Sequence, residues 1–154
     1  MGVDLKGKTC VVTGSAKSIG LGVAEMYANL GAKVAMIDLN PEVVTQAERL
    51  AKAGHAVRGY VVDITDQKAV FSCFQDIAKN LGDVFALANV AGAVDQQPFV
   101  EITPERLDKM NRININGSVW CAQAALQTMR KLKDGRIINF ASKSGKTGSA
   151  IMAA

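Results

Sequence analysis

The 154-residue sequence predicts an α/β fold: a doubly wound parallel sheet with helices on both faces. Three observations predict it. Near-continuous apolar runs recur along the chain, amphipathic stretches of helical spacing separate them, and each run ends on small or polar residues. Continuous runs imply strands covered on both faces, and strand–helix–strand repeats within one sheet connect by right-handed crossovers. Such sheets bind ligands beyond the carboxyl ends of their strands, where the strand order reverses.

The first strand is predicted at about 8–13, followed by the loop Thr13-Gly-Ser-Ala-Lys-Ser-Ile-Gly20 and, directly, a helix. A loop without bulky side chains lets the backbone approach a pyrophosphate, and the N–H groups at the helix start hold its negative charge. Gly14 and Gly20 supply the close approach, and Ser18 stands where a third small residue is wanted. The G-x-G-x-x-G fingerprint is absent, because Gly20-Leu-Gly22 is followed by Glu25, so an ordinary tight connection is the rival reading. Ile19, Val23, Met26 and Leu30 form the apolar stripe of this helix, which Gly31 closes.

The second strand, 33–38, ends on Asp38, eighteen residues past Gly20. That is near the distance of about 20 residues at which an acid reaches the ribose hydroxyls of a bound dinucleotide. Asn40-Pro41-Glu42 starts the next helix with a capping side chain, a proline in the first turn and an acid. Val43, Ala47, Leu50 and Ala51 make its stripe, Gly54 closes it, and the lone His55 reads as a surface loop residue. The third strand, about 56–62, leads into Asp63, for which a helix-cap role stands beside a binding role.

Val70, Phe74, Ile77 and Leu81 give a third helical stripe, closed by Gly82, before a fourth strand at 84–89 that ends in Asn89 through Gly92. Thr103-Pro104-Glu105 repeats the helix-start pattern, and Arg130-Lys-Leu-Lys133 falls where basic groups complement a helix carboxyl end. Gly135 closes that segment, and a fifth strand at about 135–141, expected to be an unpaired edge that invites self-association, ends at Ala141-Ser142.

The length and 49% hydrophobic content suit one domain, residues 1–154, with a real core. A net charge of +4 and pI near 9.1 do not point to nucleic acid, because the basic residues are dispersed and aromatics are only 5%. Cys10, Cys73 and Cys121 have neither the spacing of a zinc site nor the even count of a disulfide framework, and read as reduced core residues. No apolar run approaches the roughly 18 residues of a membrane span, so no membrane contact is expected and a cytoplasmic location is.

Taken together, these residues resemble the short-chain dehydrogenases/reductases, along the whole chain. Thr13 through Gly20 is similar to that family's T-G-x-x-x-G-x-G loop, which assigns Gly14, Ser15, Ser18, Ile19 and Gly20 to the cofactor. Ser18 departs from the pattern, and its side chain is expected to be tolerated only at a negative φ. Asp38, with Leu39 beside it, resembles the acid that grips the adenosine ribose, and Asp63 with Ile64 the pair that meets the adenine. Asn89-Val-Ala-Gly92 is similar to N-N-A-G with Val90 replacing the second Asn, and contributes Asn89, Ala91 and Gly92.

Asn114, counted back from Gly117 in N-x-x-G, resembles the asparagine that holds a water in the family's proton relay; Asn116 is its lower-ranked rival. Ser142 resembles the catalytic serine, against the plainer reading of a strand-end hydroxyl. Gly145-Lys-Thr147 is not a phosphate-binding Walker loop, because Phe140 occupies the position of its leading glycine. The family's Tyr-x-x-x-Lys pair does not occur, and Tyr27 and Tyr60 lie on the wrong elements to replace it. The first position after Ala154 is where the family spacing puts that tyrosine, so the C-terminal part of the fold is expected to be missing and the chain alone to be inactive.

The resemblance implies a Rossmann-like, homo-oligomeric oxidoreductase interconverting a small secondary alcohol and a ketone, with a polyol or sugar as the leaning. Asp38 favours NAD over NADP by repelling a 2′-phosphate, whereas Lys17 in the first loop argues the other way. A non-catalytic dinucleotide-binding sensor is the alternative from another functional class.

Overall fold

The computed structural model describes residues 4–148, 151 and 152. Strands β1 (Thr9–Thr13), β2 (Lys33–Asp38), β3 (Val57–Val61), β4 (Val84–Asn89) and β5 (Arg136–Asn139) pair in parallel in the order β3-β2-β1-β4-β5. From β1 the chain winds outward through β2 and β3, then returns to the other side of β1 for β4 and β5. The reversal therefore falls between the tips of β1 and β4, which makes the sheet doubly wound as the sequence predicts.

Alternation along β1 divides the core. Cys10 and Val12 point to the layer of α1 (Ser18–Asn29) and α2 (Glu42–Lys52), where they pack with Ala24, Ala28, Val43 and Leu50. Val11 points to the opposite layer, formed by α3 (Gln67–Asn80) and α5 (Ser118–Leu132), and packs with Val70, Phe74, Ile77, Leu87 and Cys121. All three cysteines are free and buried; burial pushes Cys10 up to about 11 and Cys73 and Cys121 up to about 12, so the thiols stay protonated near neutral pH.

Helix α4 (Pro104–Asn111) runs through a π-helical turn, Arg112–Gly117, straight into α5. A short 3₁₀ turn, Phe99–Glu101, precedes α4, and a four-residue helix, α6 (Ser144–Thr147), follows β5. No helix among the described residues is long and apolar enough to cross a membrane.

Several expectations need correction. Continuous apolar runs imply coverage on both faces, and β1, β2 and β4 are largely buried, but β3 and β5 are partly exposed because they are the sheet edges. The α1 stripe is only half right: Val23 and Leu30 pack against the core beside the buried Gly20, Ala24 and Ala28, while Ile19 and Met26 are each 63% exposed. Small residues let α1 lie close against β1 and β2, which leaves no room there for the larger ones.

Glycines at 31, 54 and 82 do close their helices with positive φ, but α5 ends instead on Lys133 at φ 52. Gly135 answers a packing constraint, since a Cβ there would stand 2.6 Å from Met129 Cγ. Thr103 makes no side-chain cap for α4; its hydroxyl bonds Glu105 instead and holds that carboxyl below the usual range. Ser18, the first residue of α1, is tolerated at φ 52, against the expectation of a negative φ.

A left-handed φ costs a non-glycine residue about 1–2 kcal/mol, partly offset because serine leaves the unfolded chain fewer conformations than glycine. Ser18→Gly is thus expected to stabilise the fold by about 0.5–1 kcal/mol, raising Tm by about 1–4 °C in a thermal melt. A lower Tm would mean that the hydroxyl offsets the strain.

Candidate functional site

A cavity of about 740 Å³ opens at the carboxyl ends of β1 to β4, at the reversal point. Its floor is the β1–α1 turn. Gly14 sits at φ 67 with its Cα face against Ala91, where a Cβ would come within 2.8 Å of Ala91 N and Cα. A Cβ on Gly20 would lie 2.0 Å from the Gly14 carbonyl oxygen. The bare turn is therefore a packing requirement between two strand tips. Thr13 completes it, with Oγ1 accepting from the Val90 and Ala91 N–H groups at 3.1 Å each.

Helix α1 begins on this floor without a side-chain cap and without an acid in its first turn. By contrast, Asp66 caps α3 through the Ala69 N–H at 3.1 Å, and Asn40 accepts from the Glu42 N–H of α2 at 2.9 Å. Helix α1 thus presents its positive end and its first N–H groups to the cavity unanswered, which suits an anionic ligand.

Asp38, at the tip of β2, is tied to the same turn: Oδ2 accepts from the Ala16 N–H and Oδ1 from the Asn40 N–H, both at 2.9 Å. These bonds fix the carboxylate and leave each oxygen a further lone pair toward the cavity. Asp63 Oδ1 accepts from the Thr65 N–H and hydroxyl, both at 2.8 Å, in a local turn, while Asp66 holds the cap of α3. Ile64 is buried, and Gly117 of the π turn lies against it so closely that a Cβ would meet Ile64 Cδ1 at 2.6 Å.

Of the residues singled out in the sequence, Gly14, Ser18, Ile19, Gly20, Asp38, Leu39, Asp63, Ile64, Ala91 and Gly92 line this cavity. Ser15 and Asn89 do not. Ser15 is buried, its hydroxyl donating to the Ile37 carbonyl at 3.2 Å. Asn89 is buried beneath the site, its Nδ2 donating to Asn139 Oδ1 at 3.0 Å and to the Ser118 carbonyl at 3.2 Å, which locks β4 to β5 and α5.

Asn114 also lies outside the lining. Its amide pairs both ways with Ala93, accepting from the N–H at 2.8 Å and donating to the carbonyl at 3.0 Å, so the loop after β4 is held in place. Ser142 stands beyond the end of β5, its Oγ accepting from the Ser144 N–H at 3.1 Å. Beyond α6, Ile151 is joined to the loop after β4, its carbonyl accepting from the Gln97 N–H at 2.9 Å. Tyr27 and Tyr60 lie away from the cavity, and burial raises both phenols above their usual range.

Sequence motifs gave no sign of Thr65, Lys109, Arg112 and Ile113 as cavity residues. The last three sit within five residues of Asn114 on one helical path, and Lys109 and Arg112, three residues apart, share a helix face.

A family model described as "short chain dehydrogenase" matches residues 8–154. The chain is 37% identical over 149 residues to a sorbitol dehydrogenase of Cereibacter sphaeroides, covering 96% of this chain and 57% of that protein. It therefore spans a little over half the length of that relative. A solved structure of NAD+-bound xylitol dehydrogenase superimposes with a TM-score of 0.92 at 29% identity, covering 98% of this chain and 59% of that one. A gluconate 5-dehydrogenase from Burkholderia cenocepacia, in complex with NADP and tartrate, does so with a TM-score of 0.91 at 28% identity, covering 97% and 59%.

Proposed function

The chain belongs to the short-chain dehydrogenase family, and on that premise we propose that it holds a nicotinamide dinucleotide above β1 to β4 in an oxidoreductase acting on a polyol or related secondary alcohol. The observation that carries this reading is the uncapped start of α1 over a turn too tight for side chains, with the Asp38 carboxylate bonded to that turn at Ala16. One adenosine diphosphate spans both. Its diphosphate takes the free N–H groups of the first turn, and its ribose hydroxyls donate to Asp38.

NAD is preferred in this reading because a carboxylate at the ribose repels a 2′-phosphate at short range, whereas Lys17 is an exposed cation that swings into solvent. When bound, the nicotinamide supplies hydride chemistry to the alcohol carbon. The chain's own residues orient the reactants. Ser142 Oγ already accepts from Ser144, which leaves its proton to donate to the substrate oxygen, and Asn114 fixes the loop after β4 at Ala93.

A group to move the alcohol proton is wanted, and the sequence contains no Tyr-x-x-x-Lys to provide one. Loss of a positioned acid/base lowers rates by about 10²–10⁴-fold. The 154-residue chain is thus expected to bind NAD more tightly than NADP and to show no turnover of sorbitol or xylitol. The same site geometry also fits a dinucleotide sensor, which is the second reading.

Calorimetry with both cofactors tests this, together with Asp38→Ala, which is expected to weaken NAD and narrow the gap to NADP. Uptake of neither cofactor would overturn the proposal, and robust turnover by the purified chain would overturn its inactive state. Codons for Tyr-x-x-x-Lys just downstream would separate enzyme from sensor.

A further inference from the structure

Three cations line the cavity, Lys17, Lys109 and Arg112, and among the described residues none of them lies within 4.0 Å of a carboxylate. The two cavity acids are not their partners: Asp38 accepts from backbone N–H groups, and Asp63 from Thr65. Lys17 belongs to the β1–α1 turn. Lys109 and Arg112 come from elsewhere, one helical step apart where α4 passes into the π turn, and with Ile113 they form the outer wall.

The position of that wall is fixed by packing. Gly117, at the end of the π turn, is pressed against Ile64, and Ile64 is flanked in the cavity by Asp63 and Thr65 at the tip of β3. Back along the helix from Gly117 toward α4 come Ile113, Arg112 and Lys109, which line the cavity together with Ile64. The apolar side chains of Ile64, Ile113 and Ala91 thus line the same cavity as the Asp63 carboxylate and two unpaired cations.

On the dinucleotide reading proposed above, we infer that Arg112, seconded by Lys109, is a specificity-determining residue that recognises the purine base of the cofactor. A planar guanidinium stacks on a purine face, and the lysine ammonium supplies a donor to a ring nitrogen at the purine edge. The carboxylate of Asp63 has a free oxygen to accept from an exocyclic amino group. Acid and cation together fit adenine, which offers an amino donor beside ring-nitrogen acceptors. A pyrimidine presents a smaller face to stack on.

The test compares NAD with nicotinamide cytosine dinucleotide, which carries the same charges on a smaller base, by calorimetry on the chain and on Arg112→Gln and Lys109→Gln. Both side chains are exposed, so the fold is expected to survive, as circular dichroism would confirm. Arg112→Gln is expected to weaken NAD by about three- to tenfold and the cytosine dinucleotide by less than about twofold, with a smaller loss of the same kind in Lys109→Gln. Equal weakening of both dinucleotides would place the cations on the diphosphate and overturn the inference, as would affinities unchanged throughout. If the unsubstituted chain took up no dinucleotide at all, the cofactor reading itself would fail, and this inference with it.

Discussion

Replacing Gly20 with alanine is expected to raise the NAD dissociation constant about 100-fold or more and to lower Tm by several degrees. The added Cβ would lie 2.0 Å from the Gly14 oxygen, 2.6 Å from the Gly14 carbonyl carbon and 3.0 Å from Ser15 Cα, all of them backbone atoms. No rotamer relieves such a contact, so the β1–α1 turn must move. Overpacking of this kind costs about 3 kcal/mol, and if the whole cost falls on the binding-competent turn the affinity drops by about two orders of magnitude. The turn is also where Ala16 is held by Asp38 and Gly14 meets Ala91, so a shift separates both from the ligand.

Gly22, two residues on in the same helix, supplies the control. Nothing lies within 4 Å of a Cβ built there. Alanine at 22 is expected to leave NAD binding unchanged and to stabilise α1 by about 0.5–1 kcal/mol, because glycine is a poor helix interior residue. Calorimetry and thermal melts on the two variants check the contrast. Equal behaviour would show that helix propensity, and not the close approach, governs this turn.

Leu87→Ala is expected to cost about 2–5 kcal/mol of stability, out of a total on the order of 5–15 kcal/mol. Leu87 is fully buried on β4, between β1 and β5, on the face covered by α3 and α5. Truncation opens a hole in the layer that supports Asn89 and the loop behind it, and the rigid neighbours on both strands limit collapse. Ile138 on β5 is 44% exposed, and its alanine variant is expected to lose no more than about 1 kcal/mol. Urea titration of both variants measures the difference; a cost for Leu87→Ala as small as that for Ile138→Ala would show that β4 is not a rigid centre.

What could be read from the chain was whatever depends on neighbours in sequence. The apolar runs located all five strands, and Gly31, Gly54 and Gly82 marked helix ends because a left-handed residue is needed where each helix turns away. The failures have one origin. The apolar stripe of α1 misled because strand-facing positions in a close-packed layer reward small residues, and although β5 was expected at an edge, the apolar run of β3 gave no sign that it would be the other one.

At the site, the residues of the β1–α1 turn, Asp38 and Asp63 were legible as polar or bare positions at strand tips. Ser15 and Asn89 belonged to the same motifs, yet both face inward, and only pairing with Ile37 and Asn139 reveals this. Lys109 and Arg112 carried no motif at all. They reach the cavity because a π turn and the Gly117–Ile64 contact set the path of a helix far from Asp63 in sequence.

The amino-acid sequence by itself determined the alternation of strands and helices, the family, and the turn where an anion can approach bare backbone, since each is written in local periodicity and spacing. Tertiary structure alone decided which strand tips stand together, which side chains turn toward the cavity and which cations line it. Those outcomes depend on contacts between segments far apart along the chain, where small differences in packing determine what fits.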